Sequence, residues 1–336
     1  MTTAPADNEV IDSAAIRAFT EEFGDRATRM PPLAVVIAAL NEEGAIGPVV
    51  AALPVTVTGL ATVTIVVSDG SVDSTGKEAR EAGALVCDVP VNRGQGAALR
   101  LGYRLARLGG ARYIVTTDAD GQYNPAEIES LMAPILADQA DFVTGSRTLG
   151  SEETKDPVRK AGVRFFALAI SVLTGRRISD TTFGLRAMRA EVTGAVLLEQ
   201  PQYQAAELLI GVITHGYRVV ERPATIHRRK IGKSKKGNNA LYAAKFAKVV
   251  VGTWWRERQR LARGSAARSV ADEPLTGPES PAGAEPLTGT EPLTGTEPLP
   301  DGAVAYGAEP ATGPDRADGA GSDPSAAFDP RSAKST

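Results

Sequence analysis

One cysteine, Cys87, occurs in 336 residues. It lies in the apolar run Ala84-Leu85-Val86-Cys87 and reads as a buried structural thiol, so no disulfide framework exists. The two histidines, His215 and His227, have no metal-ligand spacing, which argues against zinc. No apolar run approaches the ~20 residues of a spanning helix, and residues 1–29 lack the basic-then-apolar pattern of a signal peptide. These absences predict a soluble or peripheral protein on the cytoplasmic side. Glycine is missing where a redox site would need it. The first apolar run, Leu33-Ala34-Val35-Val36-Ile37-Ala38, leads into Ala39-Leu40-Asn41-Glu42-Glu43. A dinucleotide fold needs Gly-x-Gly-x-x-Gly there, with an acid about 20 residues on. A Walker loop is absent as well.

Charge and proline are unevenly spread. Residues 264–336 hold 11 of the 22 prolines, near-repeats of Glu-Pro-Leu-Thr-Gly, and twelve acids against four bases. The whole-chain charge of −3 therefore conceals about +5 over residues 1–263. Such a tail buries too little apolar surface to offset its ordering entropy and is expected to be disordered. The expected organisation is a partly disordered leader (1–30) with an acidic stretch at 11–23 that can form a helix, one catalytic domain (31–263) and the tail (264–336).

Within the domain, short apolar runs alternate with helical stretches. Runs at 33–38, 62–67, 84–89 and 112–117 read as buried strands, with helices near 44–53, 74–82 and up to 108. Asp73 is the N-cap candidate for the second helix. This alternation implies an α/β, doubly wound, mostly parallel sheet with helices on both faces. Ligands of such sheets bind at the carboxyl ends of the strands. Asn41/Glu42, Asp69, the Gly94–Gly96 turn and the pair Asp118/Asp120 all fall there. Asp118 and Asp120 sit on a turn after the strand Tyr113-Ile114-Val115-Thr116-Thr117 and can reach one point beyond the sheet edge. Hard oxygen ligands of that kind suit Mg²⁺ or Mn²⁺, which complete their shells with water and substrate phosphates.

Seven motifs then occur in order: Ile37-Ala38-Ala39-Leu40-Asn41-Glu42-Glu43, Ser68-Asp69-Gly70-Ser71-Val72-Asp73-Ser74-Thr75, Asn92-Arg93-Gly94-Gln95-Gly96, Asp118-Ala119-Asp120-Gly121-Gln122, Gly145-Ser146-Arg147, Asp180-Thr181-Thr182-Phe183-Gly184-Leu185-Arg186 and Arg229-Lys230-Ile231-Gly232-Lys233-Ser234-Lys235. Together they resemble family 2 glycosyltransferases of the GT-A fold, close to the dolichyl- or polyprenyl-phosphate mannose and glucose synthases. The chain departs from that pattern at Ser68, where the family often has a second acid. It also departs at Ala38 and Leu40, where Pro and an aromatic are frequent.

The resemblance implies an inverting, metal-dependent hexosyltransferase. Its donor site would comprise Ala38, Leu40, Glu42 and Asp69 at the nucleobase and ribose, and Asp118, Ala119, Asp120, Arg147, Arg229 and Lys235 at the diphosphate. Asp118, Asp120 and Gln122 would hold the metal, and Asp180, Asp120 and Arg186 would be catalytic. Asp180 would act as base, or orient the acceptor or Arg186. The implied partners are a GDP- or UDP-hexose, a polyprenyl phosphate, an anionic membrane surface on the inner face of the cell membrane, and a small membrane protein. Two alternatives stand beside this reading: a soluble or polysaccharide acceptor, and a nucleotide-sugar-binding subunit that needs a membrane partner.

The second half supports the membrane reading with its own residues. Phe165-Phe166-Ala167-Leu168-Ala169-Ile170-Ser171-Val172-Leu173 follows the basic residues Arg159, Lys160 and Arg164, and is either a core helix or an interfacial one. Six Lys/Arg fill the ten positions 227–236. Without interleaved aromatics or a binding module, these speak for closure over phosphate and against nucleic acid. A last helix, about 238–262, carries Trp254-Trp255 among basic residues and reads equally as an interface anchor or as a helix packed on the body.

Overall fold

The protein, seen in a computed structural model, is described over residues 5–153, 157–196, 198–200, 202–228 and 239–271. These residues fall in one unit, residues 1–275. Its strands are β1 (Leu33–Ala39), β2 (Thr56–Val57), β3 (Leu60–Asp69), β4 (Leu85–Val89), β5 (Tyr113–Asp118), β6 (Phe142–Glu152), β7 (Arg186–Arg189) and β8 (Val219–Ile226). Its helices are α1 (Pro5–Phe23), α2 (Asp25–Thr28), α3 (Ile46–Ala51), α4 (Thr75–Glu81), α5 (Gln95–Leu108), α6 (Glu127–Leu136), α7 (Pro157–Thr174), α8 (Val192–Ala195), α9 (Gln204–Thr214) and α10 (Asn239–Ala271).

Strand β1 is central because every residue from Leu33 to Ile37 is apolar and fully buried. Its alternate residues serve opposite faces. Ala34 and Val36 pack with α1 and α5, whereas Leu33, Val35 and Ile37 face α6 and the α3–α4 side. Each large apolar side chain buried this way contributes about 1.5–3 kcal/mol. The sheet runs β4-β3-β1-β5-β7-β6-β8, with β2 antiparallel on the start of β3. Strands β4, β3, β1 and β5 are mutually parallel, and β6 is parallel to β8. Only β7 among the central strands is reversed, pairing antiparallel with both β5 and β6. The expected doubly wound, mostly parallel sheet is therefore present.

Several boundaries differ from the sequence reading. The leader, expected outside the domain with a helix possible over 11–23, has residues 5–23 in helix α1. Ala15 and Phe19 are buried in the cluster that contains β4 and α5, because Ile11, Ala15 and Phe19 recur on one helical face. Helix α7 is 18 residues long instead of about 13. Helix α10 continues to Ala271, past the expected domain end at 263. The rest of the tail lies outside the described residues. Among the described residues no helix is long and apolar enough to cross a membrane.

Candidate active site

The register of the sheet brings the first motifs together. Ala38 is opposite Val67 on β3 and Asp118 on β5, and Asp69 is opposite Val89 on β4. The loop after β1 is then fixed by side chains of the second motif and by Glu78 of α4. Asn41 N donates to Ser71 Oγ (3.2 Å), Glu42 N to Thr75 Oγ1 (2.8 Å), Glu43 N to Asp73 Oδ2 (3.3 Å) and Gly44 N to Glu78 Oε2 (2.7 Å). Asn41 returns the contact by accepting Val72 N at 2.9 Å. Asp73, the expected N-cap, stands one residue before the observed N-cap, Ser74, and accepts both the amide and the hydroxyl of Thr75. Burial works against its charge, but these donors outweigh it and hold the carboxyl below the usual range. Ala38 at the end of β1, and Leu40 and Glu42 on the braced loop after it, thus lie half-buried at the carboxyl edge.

Asp69 is buried, and its carboxylate is occupied from inside. Its Oδ2 accepts Arg93 N (2.7 Å) and Gly94 N (2.8 Å), and its Oδ1 accepts Arg93 Nε (3.3 Å). Burial raises its pKa, with the Arg93 and Gly94 donors opposing. The expected nucleobase acceptor is therefore the brace of the Asn92–Gly94 turn. Gly70 makes the close approach possible: its φ is +77°, and a Cβ there would overlap the backbone of Val91 and Asn92.

At the end of β5, Asp118 Oδ1 accepts Gln95 Nε2 at 3.2 Å, and Asp120 Oδ1 accepts Gln122 N at 3.2 Å in a tight turn around buried Ala119. Gln122 is tied to the end of β8: its Nε2 donates to His227 O (2.9 Å), and His227 N donates to its carbonyl (2.8 Å). Glu153 holds the same segment through His227 Nδ1 (2.9 Å) and Arg228 N (3.0 Å). The basic stretch containing Arg229 and Lys235 thus departs from a point pinned beside the Asp118–Gln122 turn; both residues lie outside the described ones. Among the described residues no three acids, histidines or cysteines gather as a metal cage. Two carboxylates and the amide oxygen of Gln122 are an all-oxygen set. It fits Mg²⁺ or Mn²⁺ taking its remaining ligands from phosphate and water.

Beyond β5 lies a second polar group. Arg147 and Asp180, both expected at the reaction centre, bind each other. Asp180 Oδ2 accepts Arg147 Nε (2.6 Å) and N (3.2 Å), while its Oδ1 accepts Thr182 N (3.1 Å). Arg147 Nη2 reaches Thr182 Oγ1 (3.1 Å), its guanidinium stands 5.7 Å over the Phe183 ring, and its Nη1 has no hydrogen-bond partner. Asp180 is 1 % exposed, and both its oxygens are engaged by Arg147 and Thr182. Arg186 is also buried, among Tyr103, Tyr123, Asp118 and Asp180, and burial lowers its pKa. No ion pair to Asp180 forms, contrary to one expectation for it.

Three residues that brace this region escaped the sequence reading. Glu221 on β8 accepts Ser179 N and Asp180 N (both 2.9 Å) and the Ser179 hydroxyl, fixing the loop that displays Asp180. Tyr123 accepts Gly184 N at 2.8 Å, and burial next to Asp118 pushes its phenol well above the usual range. Asp12 on α1 reaches Arg93. Glu221 sits 41 residues from Asp180, and only sheet topology unites them.

Residues 34–197 match the family model described as Glycosyl transferase family 2. The dolichyl-phosphate hexose transferase of Haloferax volcanii is 36% identical over 230 residues, 68% of this chain and 96% of that protein. The polyprenol monophosphomannose synthase of Mycolicibacterium smegmatis is 32% identical over 211 residues, 59% of this chain and 78% of that protein. Among solved structures, glucosyl-3-phosphoglycerate synthase from Mycobacterium tuberculosis, in complex with Mn²⁺, UDP and phosphoglyceric acid, has a TM-score of 0.53 at 21% identity. It covers 71% of this chain and 82% of that one, a likeness of fold. Fold and site define a GT-A glycosyltransferase. The chain belongs to glycosyl transferase family 2.

Proposed function

We propose that this glycosyltransferase moves a hexosyl group, mannose or glucose, from a GDP- or UDP-hexose to a polyprenyl phosphate at the inner face of the cell membrane. The observation that carries the reading is the Asp118–Asp120 turn, flanked by the braced β1–β3 edge on one side and by Arg147, Asp180 and Arg186 on the other. The names of the relatives from Haloferax and Mycolicibacterium support the lipid-phosphate acceptor, and the Mn²⁺–UDP complex of the structural neighbour supports a divalent ion beside a nucleoside diphosphate.

In this reading Ala38, Leu40 and Glu42 line the nucleoside, with Asp69 fixing the turn beneath it. Asp118, Asp120 and Gln122 hold Mg²⁺ or Mn²⁺, which supplies positive charge to the leaving diphosphate. Arg229 and Lys235 bind the same anion from the basic stretch. Arg186, buried at the site, lends its positive charge to the phosphates. An acceptor phosphate oxygen attacks the anomeric carbon from the side opposite the departing nucleoside diphosphate. The bond from that carbon to the β-phosphate oxygen breaks, and its electron pair leaves with the nucleoside diphosphate. A phosphate monoester carries about −1.5 to −2 charge at pH 7, so no protein base is required. This suits the internal engagement of Asp180, whose part is to position Arg147.

The acceptor side has a surface to match. On α7, Phe165, Leu168 and Val172 form an exposed stripe, 64%, 65% and 74% accessible, although this helix packs its other face against α9 and α10. Beside the stripe a cavity of about 560 Å³ is lined by Arg164, Leu168, Val172, Arg176, Arg177 and Ser179, ending one residue from Asp180. Val251 and Trp255 are exposed on α10, with Lys248 and Arg258 nearby in sequence. Apolar side chains edged by guanidinium groups favour an anionic lipid surface, and a small membrane protein is a further candidate occupant. Thermal-shift titration with GDP- and UDP-hexoses, with and without Mn²⁺, tests the donor half. Stabilisation by one nucleotide series that depends on the cation is expected. No shift with any nucleotide sugar contradicts the reading, and a shift without turnover on any lipid phosphate favours a binding subunit.

A further inference from the structure

Helix α1 precedes the family match, which begins at residue 34. It nevertheless inserts a buried carboxylate beneath the β3–β4 edge. Asp12 is 2 % exposed; its Oδ1 accepts Arg93 Nη1 at 2.6 Å, and its Oδ2 accepts Arg100 Nη2 at 3.4 Å. The Arg93 side chain is wholly buried and turns its Nε to Asp69 Oδ1. One guanidinium is therefore gripped by two carboxylates, one from α1 and one from the end of β3. The second oxygen of Asp69 holds the Arg93 and Gly94 amides that start α5.

This arrangement is under-satisfied by one donor, since Arg93 Nη2 has no hydrogen-bond partner. Loss of the Asp12 charge leaves this wholly buried guanidinium with Asp69 as its one remaining carboxylate partner. A buried, unpaired charge is costly and the structure moves to relieve it. The carboxylate already bonded to Arg93 is Asp69. Pulling the guanidinium fully onto Asp69 competes with the amides of Arg93 and Gly94 for the same group, and so shifts the turn that leads through Gln95 to Asp118. Two other ion pairs of α1, Glu9–Arg104 and Glu22–Arg80, are exposed or half-exposed and of small worth. Asp12 is the buried carboxylate through which this helix reaches the Asn92–Gly94 turn.

We propose that Asp12 is a positioning residue for the nucleotide: through Arg93 it holds Asp69 and the Asn92–Gly94 turn in the geometry that receives the donor nucleoside. The inference rests on the donor reading above, and the test separates the two. Affinity for UDP and for GDP, with Mn²⁺, is measured calorimetrically on the full chain for wild type, Asp12→Asn, Asp12→Glu and Phe19→Ala. Phe19→Ala loosens α1 at its apolar contact and leaves the ion pairs intact. For the nucleotide that binds wild type, Asp12→Asn should weaken affinity by about tenfold or more, equivalent to about 1.4 kcal/mol. Phe19→Ala should weaken it less than about threefold even if its melting temperature falls further, an effect of under about 0.7 kcal/mol. Asp12→Glu, which keeps the charge and protects folding, should fall between wild type and Asp12→Asn. Equal losses in Phe19→Ala and Asp12→Asn, or wild-type affinity in Asp12→Asn and Asp12→Glu, would overturn the proposal while leaving the donor reading intact. A wild-type chain that binds neither nucleotide would overturn both.

Discussion

Asp118 and Asp120 can be read from the sequence because the chemistry and its position are local: a β-branched strand ends, and two acids follow within three residues. The contacts that shape them are not local. Asp118 has Gly184 as a neighbour from 66 positions away, and a Cβ at Gly184 would stand 2.7 Å from Asp118 Oδ2 and 2.8 Å from the Tyr123 hydroxyl. Glycine is therefore required there for space, at an ordinary backbone angle. Gly184→Ala should displace the carboxylate and lower turnover by about tenfold or more, an effect of about 1.4 kcal/mol on the barrier. The melting temperature should move little, because the atoms that must shift lie at the sheet edge. Steady-state kinetics beside a melting curve check this; unchanged turnover would mean that Asp118 does not depend on that geometry. The pairing of Arg147 with Asp180 was equally hidden. Each residue was recognisable as polar and functional, but nothing in a sequence reports that two such groups neutralise one another across 33 positions.

At the scale of elements, the parallel half of the sheet was legible because its strands are continuous apolar runs, buried on both faces. Strands β6 and β7 were not resolved in advance, since β7 is four residues long and begins with a buried arginine. Helix α1 was underrated because its buried face is built on alanine and few large residues among acids. Strand β8 contributes a titratable clamp. Burial raises Glu221 above the usual 4.5, and the Ser179 and Asp180 donors offset that only in part. The folded state thus binds this proton more tightly than the unfolded chain does. The stability that follows is present at low pH and is lost as pH rises through the raised value. Glu221→Gln removes the effect. Denaturant unfolding of both proteins between pH 7 and pH 4.5 should show wild type gaining on the variant as pH falls. A difference that is flat, or that moves the other way, would contradict this account of the clamp.

For the whole molecule, the proposed function sets one edge of the sheet toward a nucleotide and a neighbouring surface toward lipid. The exposed Phe165, Leu168 and Val172 stripe, with Arg164, Arg176 and Arg177 beside it, predicts salt-sensitive binding to vesicles containing anionic lipid. Each basic residue near such a surface contributes on the order of 1 kcal/mol. Phe165→Ser with Leu168→Ser should weaken co-sedimentation even at low salt, whereas vesicle binding by wild type that ignores both salt and these substitutions would remove α7 from the interface. The central claim is that Asp118 and Asp120 serve transfer from a nucleotide sugar to a lipid phosphate. It is tested most directly by following labelled hexose from GDP- or UDP-hexose into organic-soluble polyprenyl product, in defined Mg²⁺ or Mn²⁺, with wild type and Asp120→Asn. The account predicts cation-dependent product from wild type, and a loss of about a hundredfold or more in Asp120→Asn, near 2.7 kcal/mol, with the fold unchanged. Wild-type turnover by Asp120→Asn, or no glycolipid product from wild type with any donor and cation, would contradict it.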